Sequence, residues 1–202
     1  MPIDVDEAVR VSEIARATIR VAGQRGSRGV TLRSVADELG RSTAFITNFV
    51  PSRAQLIVNA LEYAQAGWKV DRQGWLSGAV GADRLAGLAR WMCSTSEDDG
   101  ILRSLWVEAI ADIRASTMAY DVIRSVTDDT YVEFLGASRE SGLAEAEQIA
   151  DTLYLFCRGF HIKSVEDPEG WTDARANSAL EYLLKMLVFQ DATRAEQPPV
   201  HE

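Results

Sequence analysis

The segment Thr31 to Phe49, TLRSVADELGRSTAFITNF, decides the fold. Leu32, Val35, Ala36 and Leu39 recur at helical spacing, and Gly40 breaks the pattern before Phe45, Ile46 and Phe49 resume it. Thr31 and Ser42 stand where helix caps belong, each just ahead of its apolar run. Two helices this short can pack at a steep angle only if the residue at their closest approach is small and the turn accepts a positive φ; Ala36 and Gly40 supply both. Ile46 then fills the angle, with Val35, Leu39 and Phe49 completing a small core. That is the arrangement of a helix-turn-helix, whose second helix lies in the major groove of DNA. The competing reading is an ordinary helical hairpin inside a core. Polarity weighs against it, since such a hairpin has no reason to present Arg41, Ser42, Thr43, Thr47 and Asn48 together.

Charge outside this segment divides sharply. Between Val9 and Arg53 there are eight arginines against three acids, a net of +5, whereas from Ala54 onward 13 basic residues face 24 acids, a net of −11. A basic segment on an acidic body of overall charge −9 suits a chain that brings one end to a polyanion and holds the rest away. A merely solvated charged face is the alternative.

The 202 residues, 47% of them hydrophobic, are ample for a buried core. Nearly every segment carries the helical period and none alternates convincingly, so the expected fold class is all-α with about nine helices. Asp4-Val-Asp-Glu7 resembles a capping box opening a first helix, along which Val11, Ile14, Thr18, Val21 and Ala22 form an apolar line until Gly23, Gly26 and Gly29 end it. Pro51-Ser-Arg-Ala-Gln55 opens a fourth helix running to about Leu76. Further helices are expected at about 83–94, 101–115, 118–141, 145–166 and 172–190. Residues 1–53 would then form a helix-turn-helix domain, 54–190 a helical effector-binding and dimerisation domain, and 191–202, with Pro198-Pro199, a flexible tail.

At this point a family resemblance emerges. GVTLRSVADELGRSTAFITNFVPSRAQLIVNAL, Gly29 to Leu61, resembles the DNA-binding domain of the TetR family of bacterial transcriptional repressors: a Gly-Val-Thr opening, Val-Ala-x-x-Leu-Gly in the second helix, and a Pro-Ser-basic step into the fourth. Over the rest of the chain the resemblance is one of architecture. It implies that Thr31 contacts phosphate, that Arg33 reaches phosphate or a base edge, that Thr43 and Ala44 face bases, and that Arg53 grips phosphate at the start of the fourth helix. Two positions depart from the family pattern. Thr47 stands where an aromatic, often tyrosine, is usual, and Val50 where phenylalanine commonly precedes the Pro-Ser step. Asn48 can pair with adenine or hydrogen-bond a phosphate. The expected DNA-binding set is therefore Thr31, Arg33, Arg41, Ser42, Thr43, Ala44, Thr47, Asn48 and Arg53, and the expected partner is a palindromic operator in double-stranded DNA.

The acidic two thirds should supply dimerisation and control. Ile149, Leu153, Phe156, Cys157 and Phe160, then Ala176, Leu180, Leu183, Leu184 and Leu187, form stripes that fit a four-helix homodimer bundle made from two helices per subunit, as the resemblance also implies. Packing within one subunit is the other reading of either stripe. His161 lies on the same face and reads as a hydrogen-bonded interface residue rather than a pH sensor. Trp68, Trp75, Trp91, Met92, Trp106, Ile110, Met118, Phe134 and Tyr154 are large and adaptable. The resemblance implies an effector pocket among them, suited to a lipophilic small molecule, against plain core packing for any one residue.

Catalytic motifs are missing from the sequence. Two histidines and the distantly spaced Cys93 and Cys157 do not make a zinc site, there is no phosphate loop, nucleophile elbow or His-Glu-x-x-His, and no cofactor or metal is implied. The acidic groups Glu97-Asp98-Asp99 and Asp128-Asp129 read as loop solvation and helix-start charge rather than a cation site. Met1 is followed by acids rather than a basic and apolar leader, and no apolar run spans a membrane, so a cytoplasmic protein with free buried thiols is expected. The expected function is that of a dimeric, effector-released DNA-binding repressor and not an enzyme. The alternatives are a helical adaptor that uses the same surface for protein contacts and an all-α enzyme.

Overall fold

A computed structural model describes residues 3–95, 99–111 and 117–195. Its α-helices are α1 (Ile3–Arg25), α2 (Leu32–Leu39), α3 (Thr43–Thr47), α4 (Arg53–Trp75), α5 (Gly81–Met92), α6 (Asp99–Ala111), α7 (Thr117–Glu140), α8 (Ala146–Glu166) and α9 (Asp173–Ala195), with a 3-10 turn at Ser27–Gly29. No strand occurs among the described residues, and the fold is all-α. No helix among them is long and apolar enough to cross a membrane.

Two compact units make up the chain, one of Met1–Asp71 with Ser96–Asp128 and one of Arg72–Thr95 with Asp129–Glu202. Compactness therefore does not divide at residue 53. The physical reason lies in the first unit's core, where Ile14, Ala17 and Val21 of α1, Val35 and Ala36 of α2, Ile46 of α3 and Leu56, Ile57 and Leu61 of α4 are buried together with Leu102, Leu105, Trp106 and Ala109 of α6. The α1 line was legible as helical spacing, and Thr18 within it keeps its hydroxyl satisfied by donating to the Ile14 carbonyl at 2.9 Å.

The second unit packs Leu85, Leu88, Ala89 and Met92 of α5, Phe134 and Ala137 of α7, Ile149, Leu153, Cys157 and Phe160 of α8 and Ala176 and Leu180 of α9 into one core. Arg72 is buried there at 7% exposure. It donates to Glu133 at 2.6 Å and stacks over Trp91, 5.4 Å from its ring centroid.

Most helix limits agree with the sequence expectation to within two residues. Two differences have local causes. Helix α3 stops at Thr47, short of Phe49, because Asn48 caps it and the Val50 N–H closes onto the Ile46 carbonyl at 2.8 Å, turning the chain toward Pro51. Helix α9 runs past Asp191 to Ala195, since Ala192, Thr193, Arg194 and Ala195 include no breaker ahead of Pro198. Residues 196–202 of the expected tail lie outside the described residues.

Candidate nucleic-acid interface and regulatory surfaces

Backbone hydrogen bonding builds the α2–α3 corner. Thr31 caps α2 by accepting the Ser34 N–H at 3.0 Å, while the Ser34 hydroxyl accepts the Thr31 N–H at 2.9 Å, a reciprocal capping box. At the other end Gly40 adopts φ 62, ψ 36, and the Arg41 N–H reaches back to the Ala36 carbonyl at 2.9 Å. Ser42 then caps α3, accepting the Phe45 N–H at 3.1 Å. Ile46 is wholly buried in the angle and Ala36 nearly so. The turn between α2 and α3 thus rests on the residues the sequence points to, a left-handed glycine between two helices with hydroxyl caps.

Outward from that corner the structure exposes Thr31, Arg33, Arg41, Ser42, Thr43, Ala44, Thr47 and Asn48. Several are already engaged locally. The Thr31 hydroxyl belongs to the capping box, and the Thr47 hydroxyl donates to the Ala44 carbonyl at 3.1 Å. Arg41 lies over the Phe45 ring, 5.3 Å from its centroid, and Phe45 is tilted against Phe49 at 5.3 Å. Within the basic segment Arg10, Arg20 and Arg53 are paired with Glu13, Glu38 and Glu108. Arg25, Arg28, Arg33 and Arg41 are exposed, and Arg25 and Arg28 join the candidates that the motif had not singled out.

Arg53, expected to grip phosphate, makes three hydrogen bonds within the chain. Its Nε donates to the Val30 carbonyl at 3.0 Å, and its Nη2 donates both to the Ser27 carbonyl at 3.1 Å and to Glu108 Oε2 at 3.0 Å. Ser27 in turn donates its hydroxyl to Glu108 Oε1 at 3.3 Å. A carboxylate from α6, far along the sequence, completes this arrangement, and no local motif announces it.

Of the candidate effector residues, Trp68 and Trp106 pack with the first unit's core, Trp68 donating its indole N–H to Asp99 at 3.2 Å, and Ile110 is partly exposed. Trp91, Met92, Phe134 and Tyr154 belong to the second unit. There Tyr154 meets Tyr131 and Phe134 edge-on, with centroids 5.5 and 5.8 Å apart, and the Tyr131 hydroxyl donates to Asp151 at 2.7 Å, which holds its phenol above the ordinary range. The side chain of Met118 lies outside the described residues.

The stripe expected at the dimer interface divides in the structure between buried and half-buried residues. Leu153, Cys157, Phe160 and Leu180 are buried inside one subunit, and Phe156, Leu183, Leu184 and Leu187 pack against the same core half-buried. His161 is hydrogen-bonded, but within the subunit: its Nε2 donates to the Met92 carbonyl at 2.8 Å. Among the described side chains of α8 and α9, Leu155, Ile162, Tyr182 and Met186 are the large apolar ones left exposed. Both faces of these helices are apolar, so periodicity alone could not say which one faces inward. Among the described residues no group of three or more His, Cys, Asp or Glu is placed to hold a metal ion.

Neither a family model nor a curated protein matches the sequence. Solved structures do match. A transcriptional regulator from Rhodococcus sp. Rha1 superposes with a TM-score of 0.78 at 17% identity, over 89% of this chain and 96% of that one. A protein from Saccharomonospora viridis, solved in complex with choline, gives 0.75 at 20% identity over 88% and 96%. A TetR transcription regulator from Haloarcula marismortui gives 0.73 at 17% identity over 87% and 94%. Identity this low speaks to architecture, and across nearly its whole length the chain has the fold on which that TetR transcription regulator is built.

Proposed function

We propose that the chain is a dimeric DNA-binding transcriptional regulator, a repressor that leaves a palindromic operator when a small lipophilic effector binds. The observation that carries this reading is the α2–α3 corner, where apolar Ala36 and Ile46 are buried while Arg33, Arg41, Ser42, Thr43, Ala44, Thr47 and Asn48 stand exposed. Thr43 and Ala44 in the first turn of α3 are the base-facing pair, each carrying a methyl for thymine, and Asn48 adds an amide. The exposed arginines supply the phosphate contacts that fix register.

Dimerisation is proposed through the outer face of α8 and α9, with Leu155, Ile162, Tyr182 and Met186 meeting their copies across a two-fold axis. Trp91 and Tyr154, half-buried on the second unit's core, are the aromatic surfaces proposed for the effector. Linkage supplies the control: an effector that prefers a non-binding conformation must weaken operator binding by the factor by which DNA weakens its own.

Selection from a random pool of duplex DNA tests the reading. A two-fold palindrome should be enriched, and its retention should fall steeply as salt rises. Asn48→Ala should then cost about 1–3 kcal/mol at one base position of each half-site. No enrichment at low salt would overturn the DNA-reading proposal and favour an adaptor that uses this surface for protein contacts.

A further inference from the structure

We propose that Glu108 of α6 belongs to the reading head, and that with it Arg53 acts as a positioning residue and not as a phosphate contact; this rests on the DNA-reading proposal above. The geometry is a closed figure. Arg53 opens α4 and gives three hydrogen bonds, to the carbonyls of Val30 and Ser27 and to Glu108, and Ser27 gives a fourth to the same carboxylate. Together they fasten three separate stretches of the first unit, the turn at Ser27–Gly29, the start of α4 and the body of α6.

What this fastening holds is the entry to α2. The chain passes from Ser27 through Val30 directly into Thr31, the cap whose hydroxyl and backbone open α2. Neither Gly26, at a positive φ of 73, nor Val30 caps the turn with a side chain; from the α2 side the Ser34 hydroxyl donates to the Gly29 carbonyl at 2.9 Å, and from the α4 side Arg53 holds the carbonyls of Ser27 and Val30. The planar guanidinium can satisfy two carbonyls and a carboxylate at once, which an ammonium on a flexible stem cannot reproduce.

Charge gives the second half of the argument. A guanidinium 3.0 Å from a carboxylate is neutralised within the protein, so few counterions are released when DNA arrives near it. Arg33 and Arg41 are exposed with no carboxylate partner among the described residues, and they carry the salt-dependent part of binding. Arg53 and Glu108 carry a salt-independent part, through the position of Thr31 and α2.

Operator affinity measured against potassium chloride concentration separates the two roles, using the selected palindrome and the full chain. Arg33→Ala should lower the slope of log K against log salt by about one. Arg53→Lys, which keeps the charge and loses the fork, should weaken binding roughly two- to tenfold at every salt concentration with the slope unchanged, and Glu108→Gln should act in the same direction with the same slope. Arg53→Lys with Glu108→Gln together should cost little more than either alone. Both substitutions are close in size to the originals, and circular dichroism melting establishes that each variant is folded at the assay temperature. Tighter binding by Glu108→Gln with a steeper slope would show that the freed arginine finds a phosphate, and would overturn the proposal. So would full activity in Arg53→Lys, or affinity unmoved in Glu108→Gln. Failure of the unmodified chain to select any DNA would instead strike the DNA-reading proposal, with both variants then equally silent.

Discussion

Leu153 and Leu155 stand two residues apart on α8 and point to opposite environments, the first 0% and the second 68% exposed. Leu153→Ala should therefore destabilise the subunit by about 2–5 kcal/mol in urea unfolding, as for other buried leucines. Leu155→Glu should leave stability of the isolated subunit nearly unchanged and convert a dimer to a monomer in sedimentation velocity. An unchanged sedimentation coefficient would remove Leu155 from the interface. Tyr182, at 68% exposure on α9, makes the independent check through Tyr182→Glu.

Gly40→Ala should cost roughly 1–2 kcal/mol, because the left-handed φ of 62 strains any side chain even though an added Cβ meets nothing within 4 Å. Gly67→Ala provides the contrast. Gly67 lies within α4, has no positive φ and is equally uncrowded, so alanine there should stabilise by up to about 1 kcal/mol. Equal thermal melting shifts in the same direction would contradict the argument from backbone conformation.

Glu133 holds Arg72 at 2.6 Å and also lies 3.7 Å from Arg84. Because Arg72 is only 7% exposed, Glu133→Ala would leave a desolvated guanidinium without its carboxylate, at a cost of about 3–5 kcal/mol. Arg72→Met should be far milder, since it removes the charge along with the need for a partner. Chemical denaturation of the two variants side by side tests the ordering.

Cys93 and Cys157 bring their sulfurs to 3.9 Å within the second unit's core, and both are free thiols. The neighbouring Cys93 thiol, and then burial, push the Cys157 thiol well above its ordinary value. The sign follows directly: a thiol kept neutral in the fold contributes stability that is fully present below the unfolded value of about 8.5 and is lost as pH rises toward the folded one. The melting temperature should consequently fall above about pH 8.5, and Cys157→Ala should flatten that limb of the profile. At neutral pH the native protein should resist iodoacetamide, while the unfolded chain takes up label at both cysteines. Rapid labelling of the native state would disprove the burial argument.

The α2–α3 corner was legible in the sequence because each of its determinants is local. A cap, an apolar triplet at helical spacing and a left-handed glycine act over three or four residues, so Thr31, Ala36, Gly40, Ser42 and Ile46 could be assigned without knowing what lay beneath them. Legibility failed where a residue's role depends on a distant partner. The pairing of Arg53 with Glu108 could not be read from the sequence, because Glu108 lies 55 positions further along the chain.

Helix α8 shows the same limit in its apolar residues. Leu153, Leu155, Cys157, Phe160 and Ile162 all read as hydrophobic on a helix that is apolar on more than one side, and spacing cannot rank two such faces. Packing against α5 and α7 selects one of them for the core and leaves the other outside. By itself the sequence determined the helices, the caps at Thr31 and Ser42 and the corner that presents Thr43, Ala44 and Asn48, because those follow from interactions within a turn of chain. Only the tertiary structure decided which apolar face is buried, that α6 shares a core with α1, and that Arg53 is tied to Glu108, because each depends on surfaces that meet only when distant segments pack.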